Sequence, residues 1–233
     1  MMVYRGLLLL LGVILVPHAH AATAEERVDQ RTQEALAMDA HPGQGATLYA
    51  QYCSRCHGDR GSGDETKNVP ALAGQRFAYL VRQLANFAGA ERESTAMHGV
   101  TIQPAINDPQ RWVDIAAYLN RAPRNIHRQA GSGEAVALGR GLFHEQCASC
   151  HGSDGGGDKA GLVPSLRQQH YGYLKIQMHK LATGYRHNVD EELMQFIGSF
   201  DDHDIEGIAD YLSRLNGPGG VRRTMRNDGV VVN

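Results

Sequence analysis

The chain has 233 residues, 42% hydrophobic, 21% charged and 6% aromatic, which is enough apolar material for one large core or two small ones. That composition excludes a collagenous or disordered chain. The 23 Lys and Arg against 25 Asp and Glu leave no positive excess of the kind that nucleic-acid binding needs, so nucleic acid is not expected as a partner.

Residues 1–21 read as a secretory signal peptide. Arg5 precedes an apolar run, Leu7–Val16, and then Pro17 and the small-residue site Ala19-His20-Ala21. Ten apolar residues are too few to span a bilayer, which needs about 20. Every later stretch is interrupted by charge within a few positions, so no transmembrane segment is expected in the mature chain. The expected location is the periplasm, where free thiols do not persist and each cysteine needs a covalent explanation. Residues 22–42 form a leading polar segment that reads as a solvated helix over Ala24–Met38.

The four cysteines occur as Cys53-Ser54-Arg55-Cys56-His57-Gly58 and Cys147-Ala148-Ser149-Cys150-His151-Gly152, an identical frame displaced by 94 residues. The displacement persists outside the cysteines. Gly45, Pro70, Leu72, Gln75, Tyr79, Gln83 and Arg92 match Gly139, Pro164, Leu166, Gln169, Tyr173, Gln177 and Arg186. The chain is therefore a duplicated domain. The apolar positions in each copy recur at helical spacing: Leu48, Tyr49 and Tyr52; Leu80, Leu84 and Phe87; and Ile115, Tyr118 and Leu119, the last set echoed by Ile208, Tyr211 and Leu212. The expected fold is all-α, with two tandem helical domains over residues 43–125 and 126–216, followed by a flexible basic tail over 217–233.

A Cys-x-x-Cys-His run is the attachment signature of haem c. Both thiols add across the haem vinyl groups, and the adjacent histidine turns its imidazole onto the iron. Cys53 and Cys56 with His57, and Cys147 and Cys150 with His151, thus predict two covalently bound haem c groups, one wrapped by each domain. A zinc ribbon spaces its cysteine pairs by roughly 15–20 residues rather than 94. A thioredoxin-like pair needs alternating strands and helices that neither copy shows. Simple disulfides leave both histidines unexplained.

With these motifs the chain resembles the dihaem class I cytochromes c of bacteria, of the cytochrome c-four type. The resemblance spans about residues 43–216 and includes Pro-x-Leu-x-x-Gln at Pro70–Gln75 and Pro164–Gln169, the following Tyr-Leu-x-x-Gln segments, and a methionine before each last helix. It implies that Met97 and Met194 are the second axial ligands of the two irons. It also implies that the carbonyls of Pro70 and Pro164 accept the proximal imidazole N–H groups, which fixes their tautomer. His98 is the alternative ligand at the first iron, and His187 or His203 at the second. Met178 aligns with Leu84 and reads as a core residue, whereas His41, His127, His144, His170 and His179 read as surface residues.

A histidine–methionine pair leaves no exchangeable coordination position, which suits a carrier better than a catalyst. The expected function is a soluble periplasmic carrier passing single electrons between respiratory complexes, with redox proteins as partners. The alternative is a dihaem subunit of a periplasmic dehydrogenase, such as a flavoprotein sulfide dehydrogenase. A peroxidase or thiosulfate-oxidising enzyme would need an open iron, a bis-histidine haem or a cysteine ligand, and the haem motifs use all four cysteines.

Overall fold

The computed structural model describes residues 22–124, 130–158, 161–216, 224–225 and 231–232. The signal-peptide reading, the 125/126 boundary, His127 and most of the basic tail lie outside these residues.

The first half is five helices followed by a terminal sixth. They are α1 (Ala24–Leu36), α2 (Pro42–Tyr52), the single turn α3 (Ser54–His57), α4 (Phe77–Ala88), α5 (Thr95–Thr101) and α6 (Pro109–Arg121). The second half repeats the order from α2 onward as α7 (Val136–Leu142), α8 (Ala148–His151), α9 (Tyr171–Ala182), α10 (Glu191–Ile197) and α11 (Asp202–Arg214). A π-helical stretch over Phe143–Cys147 joins α7 to α8. Among the described residues the only strands are the two-residue antiparallel pair Thr224–Met225 and Val231–Val232, so both domains are all-α as expected.

Local chemistry sets the helix ends. Asp108 accepts the Gln110 N–H at 2.8 Å ahead of Pro109 and so caps α6. Asp201 and Asp204 form a capping box on α11. Ser94 caps α5 by accepting the Met97 N–H at 3.3 Å.

The two cores are built alike. Tyr49, Leu80, Val81, Trp112, Ile115 and Leu119 are buried together in the first, and Phe143, Leu174, Ile208, Ala209 and Leu212 in the second. In each, two helices cross at a glycine with almost no clearance, α2 over α6 and α7 over α11. A Cβ on Gly45 would lie 1.9 Å from the Asp114 carbonyl oxygen, and one on Gly139 would lie 1.9 Å from that of Gly207. Any side chain at either position would push the helices apart.

One expectation needs correction here: α1 is not a solvated helix. Val28, Thr32 and Ala35 are buried, and Val28 and Ala35 join the first core. Arg31 also lies over the Trp112 ring at 4.3 Å. The buried stripe has the spacing of one helix face, but its side chains are small and charge surrounds it, so it reads as polar in sequence.

The halves meet through equivalent residues paired reciprocally, as in a twofold interface. Arg92 donates to Tyr173 Oη and Gln177 Oε1, while Arg186 donates to Tyr79 Oη.

Candidate haem-binding sites

Each Cys-x-x-Cys-His motif bends sharply at the end of its first helix. Cys53 and Cys147 adopt nearly the same backbone angles, φ −118°, ψ −35° and φ −115°, ψ −27°. The glycine after each histidine, Gly58 or Gly152, has φ of 75° or 77°, a left-handed conformation that glycine takes without a Cβ penalty. In the first motif the Tyr49 hydroxyl ties this turn down by donating to the Gly58 carbonyl at 2.5 Å, and burial pushes the Tyr49 pKa up. Phe143 occupies the matching place in the second motif without a hydroxyl.

No disulfide joins the four cysteines; Cys53 and Cys147 are half-buried and Cys56 and Cys150 exposed. Burial disfavours a charged sulfur at Cys53 and Cys147.

His57 Nδ1 lies 3.0 Å from the Pro70 carbonyl oxygen, and His151 Nδ1 lies 3.1 Å from that of Pro164. A carbonyl can only accept, so Nδ1 carries the hydrogen in each ring and Nε2 keeps its lone pair for a metal. Burial lowers both imidazole pKa values, against the opposing effect of the carbonyl bond, and this favours the neutral ligand form.

Met97 stands on α5 and Met194 on α10, each half-buried on a short helix ahead of the last helix of its domain. Met178 packs against the second core, in keeping with its alignment to Leu84. His98 Nδ1 is 2.7 Å from the Phe87 carbonyl, and His187 and His203 are exposed.

The surface reading holds for His41 and His144 but fails for His170, which is 2% exposed. His170 reaches across the seam to place Nε2 2.8 Å from the Ser62 carbonyl. It sits just before α9, where the chain turns into the interface, and a polar letter at a helix start gives no sign of that in sequence. His179 is only half-buried and lies 3.8 Å from Asp202.

The seam also holds two buried guanidiniums. Arg92 donates to Gln83 Oε1 at 2.6 Å, Tyr173 Oη at 2.7 Å and Gln177 Oε1 at 2.8 Å, and Arg186 donates to Gln177 Oε1 at 3.0 Å and Tyr79 Oη at 3.3 Å. Burial raises the Tyr79 pKa, but Arg186 and Arg92 outweigh it and hold the phenol below its usual value. Neither arginine pairs with a carboxylate among the described residues. Both arginines match across the repeat, and a charged position kept in both copies of a duplicated core is the sequence signal for them.

These features fit a haem c at each motif. Each offers two thiols and an imidazole with one nitrogen held and the other available. No cluster of three His, Cys, Asp or Glu suited to a bare metal ion occurs among the described residues.

Comparison with known proteins agrees with this geometry. Residues 136–216 match the family described as cytochrome c, and residues 40–119 match the family described as cytochrome c oxidase, cbb3-type, subunit III. The chain is 30% identical over 190 residues to cytochrome c4 of Pseudomonas aeruginosa, covering 77% of this chain and 90% of that protein. It is 29% identical over 199 residues to the thiosulfate dehydrogenase electron acceptor of Stutzerimonas stutzeri, again covering 77% and 90%. The crystal structure of reduced recombinant cytochrome c4 from Pseudomonas stutzeri superposes with a TM-score of 0.63 at 26% identity, covering 76% of this chain and 100% of that one. Two cytochrome c domains, each with its own attachment motif, carry two haem c groups, and the chain belongs to the cytochrome c4 family of dihaem class I cytochromes, which are electron carriers.

Proposed function

We propose that the chain is a periplasmic carrier that passes single electrons between redox proteins, exported by cleavage after Ala21 and folded as cytochrome c domains over residues 43–125 and 126–216. The observation that carries this reading is the pair of equivalent motifs, each with its histidine held by a proline carbonyl 13 residues on, at 3.0 and 3.1 Å.

In this reading Cys53 and Cys56 anchor the first haem by thioether bonds, and Cys147 and Cys150 anchor the second. His57 and Met97 would hold the first iron, and His151 and Met194 the second. The bound haem iron supplies reversible one-electron exchange. Pro70 and Pro164 hold each imidazole in one tautomer and raise its basicity. Arg92 and Arg186 would offer buried positive charge to carboxylates of a bound haem. Thioether sulfur from Met97 and Met194 would raise the reduction potential of a bound haem and close its iron to small ligands.

The likeness to a thiosulfate dehydrogenase electron acceptor favours one class of donor, a periplasmic dehydrogenase that oxidises inorganic sulfur, with a terminal oxidase as acceptor. The test mixes the oxidised, haem-loaded chain with a thiosulfate dehydrogenase and thiosulfate. Reduction of both haems only when the dehydrogenase is present supports the reading. Reduction by thiosulfate without the dehydrogenase would make the chain an enzyme in its own right.

A further inference from the structure

The proline carbonyls that hold the two histidines belong to peptide groups whose other ends point across the seam. The Pro70–Ala71 peptide accepts from His57 at its oxygen, and at its nitrogen Ala71 donates to Gln169 Oε1 at 2.9 Å. Gln169 completes the pair by donating from Nε2 to the Ala71 carbonyl at 2.9 Å.

The second domain repeats the arrangement in reverse. The Pro164–Ser165 peptide accepts from His151, while the Ser165 N–H donates to Gln75 Oε1 at 2.7 Å and Gln75 Nε2 donates to the Ser165 carbonyl at 2.9 Å. Each Oε1 is also fixed by the N–H of the next residue, Arg76 at 2.8 Å and His170 at 3.0 Å. Gln75 and Gln169 are 4% and 5% exposed, so water competes little for these bonds.

We infer that Gln75 and Gln169 are crossed positioning residues, each tuning the reduction potential of the haem in the other domain. The inference rests on His57 and His151 being the proximal ligands. A hydrogen bond donated by a peptide N–H polarises that peptide and makes its carbonyl a stronger acceptor. A stronger acceptor at Nδ1 makes the imidazole more basic, which stabilises ferric iron and lowers the potential. Gln169 therefore holds down the first haem's potential, and Gln75 holds down the second's. Because the same bonds join the domains, any separation at the seam weakens both relays and raises both potentials.

The test uses the full haem-loaded chain with Gln169→Met, which removes the acceptor without adding charge, and Gln169→Glu, which strengthens it. Redox titration is followed by the hyperfine-shifted NMR signals of each haem. Direct loss of a ligand's outer partner costs about 10–100-fold, and this relay acts one bond further out. The expected rise for Gln169→Met is about threefold in the ferrous-to-ferric ratio of the first haem, or about 28 mV for one electron, with a much smaller change at the second. Gln169→Glu should move the first haem the opposite way, and Gln75→Met should reverse which haem responds.

A nitrogen-15 spectrum of the reduced protein gives an independent readout, because the His57 Nδ1–H signal should move upfield in Gln169→Met while that of His151 stays. Equal shifts at both haems, a larger shift in the mutated residue's own domain, or the same sign for Met and Glu would each overturn the inference. A parent chain that carries fewer than two haems, or that lacks histidine ligation, would instead overturn the functional reading beneath it.

Discussion

Replacing Gly45 with alanine would place a methyl carbon 1.9 Å from the Asp114 carbonyl oxygen and 2.3 Å from its carbonyl carbon. The obstacle is backbone, so no side-chain rotation can relieve it. Carbon contacts settle near 3.5–4.0 Å, and α2 and α6 would have to part by about 1.5 Å. A gap of about 0.5–1 Å already forfeits a quarter to a half of the dispersion energy at each contact. The helices on either side carry Tyr49, Trp112, Val113 and Ile115, all fully buried. The cost should therefore reach or exceed the upper end of the about 1–3 kcal/mol usual for overpacking. At about 4–8 °C per kcal/mol, a loss near 3 kcal/mol lowers the melting temperature of the first domain by roughly 12–24 °C. Thermal unfolding followed by far-ultraviolet and Soret circular dichroism measures this. Gly43→Ala is the control, since nothing lies within 4 Å of its added carbon on the same helix, and Gly139→Ala should reproduce the loss in the second domain. A Gly45→Ala chain within about 0.5 kcal/mol of its parent, the range of an ordinary surface substitution, would refute the claim that the crossing is this tight.

Met97→Ala should remove one haem's share of the weak near-infrared sulfur-to-iron band of the oxidised protein and lower that haem's potential; an unchanged band would transfer the role elsewhere, with His98 the first suspect. Changing Cys53 and Cys56 together to alanine should leave one haem per chain after acid-acetone extraction, against two in the parent, and retention of two would break the assignment of the first motif. Arg92→Met removes three hydrogen bonds to the neutral partners Gln83, Tyr173 and Gln177 and should destabilise the seam by about 1–3 kcal/mol, the cost of leaving partly buried polar groups without their donor. Small-angle scattering should then show an expanded particle, whereas Arg140→Met, at an exposed position, should not; identical behaviour of the two variants would remove Arg92 from the account.

What the sequence revealed was local or repeated. Cys53, Cys56 and His57 are contiguous, and the same frame recurs at Cys147, so neither motif depended on knowing the fold. The stretch from Pro70 to Gln75 was visible because its copy runs from Pro164 to Gln169. The destination of those glutamines is not legible in the sequence. Gln169 meets Ala71, 98 residues away, and a polar side chain at a non-periodic position carries no sign of so distant a partner. His170 stayed hidden for the same reason, since its burial comes from docking against Ser62 of the other half rather than from its own helix. The stripe of Val28, Thr32 and Ala35 on α1 was masked by size: small side chains can be fully buried against α4 and α6 while the helix as a whole reads as charged.

A reductive titration of the haem-loaded chain, counted in electrons and run in parallel under argon and under carbon monoxide, tests the central claim most directly. Two closed irons predict two one-electron steps per chain and the same spectra under both gases, because His57 with Met97 and His151 with Met194 leave no coordination position to exchange. Uptake of a single electron per chain, or a carbon monoxide complex at either haem, would contradict the account and make the chain something other than a dihaem carrier.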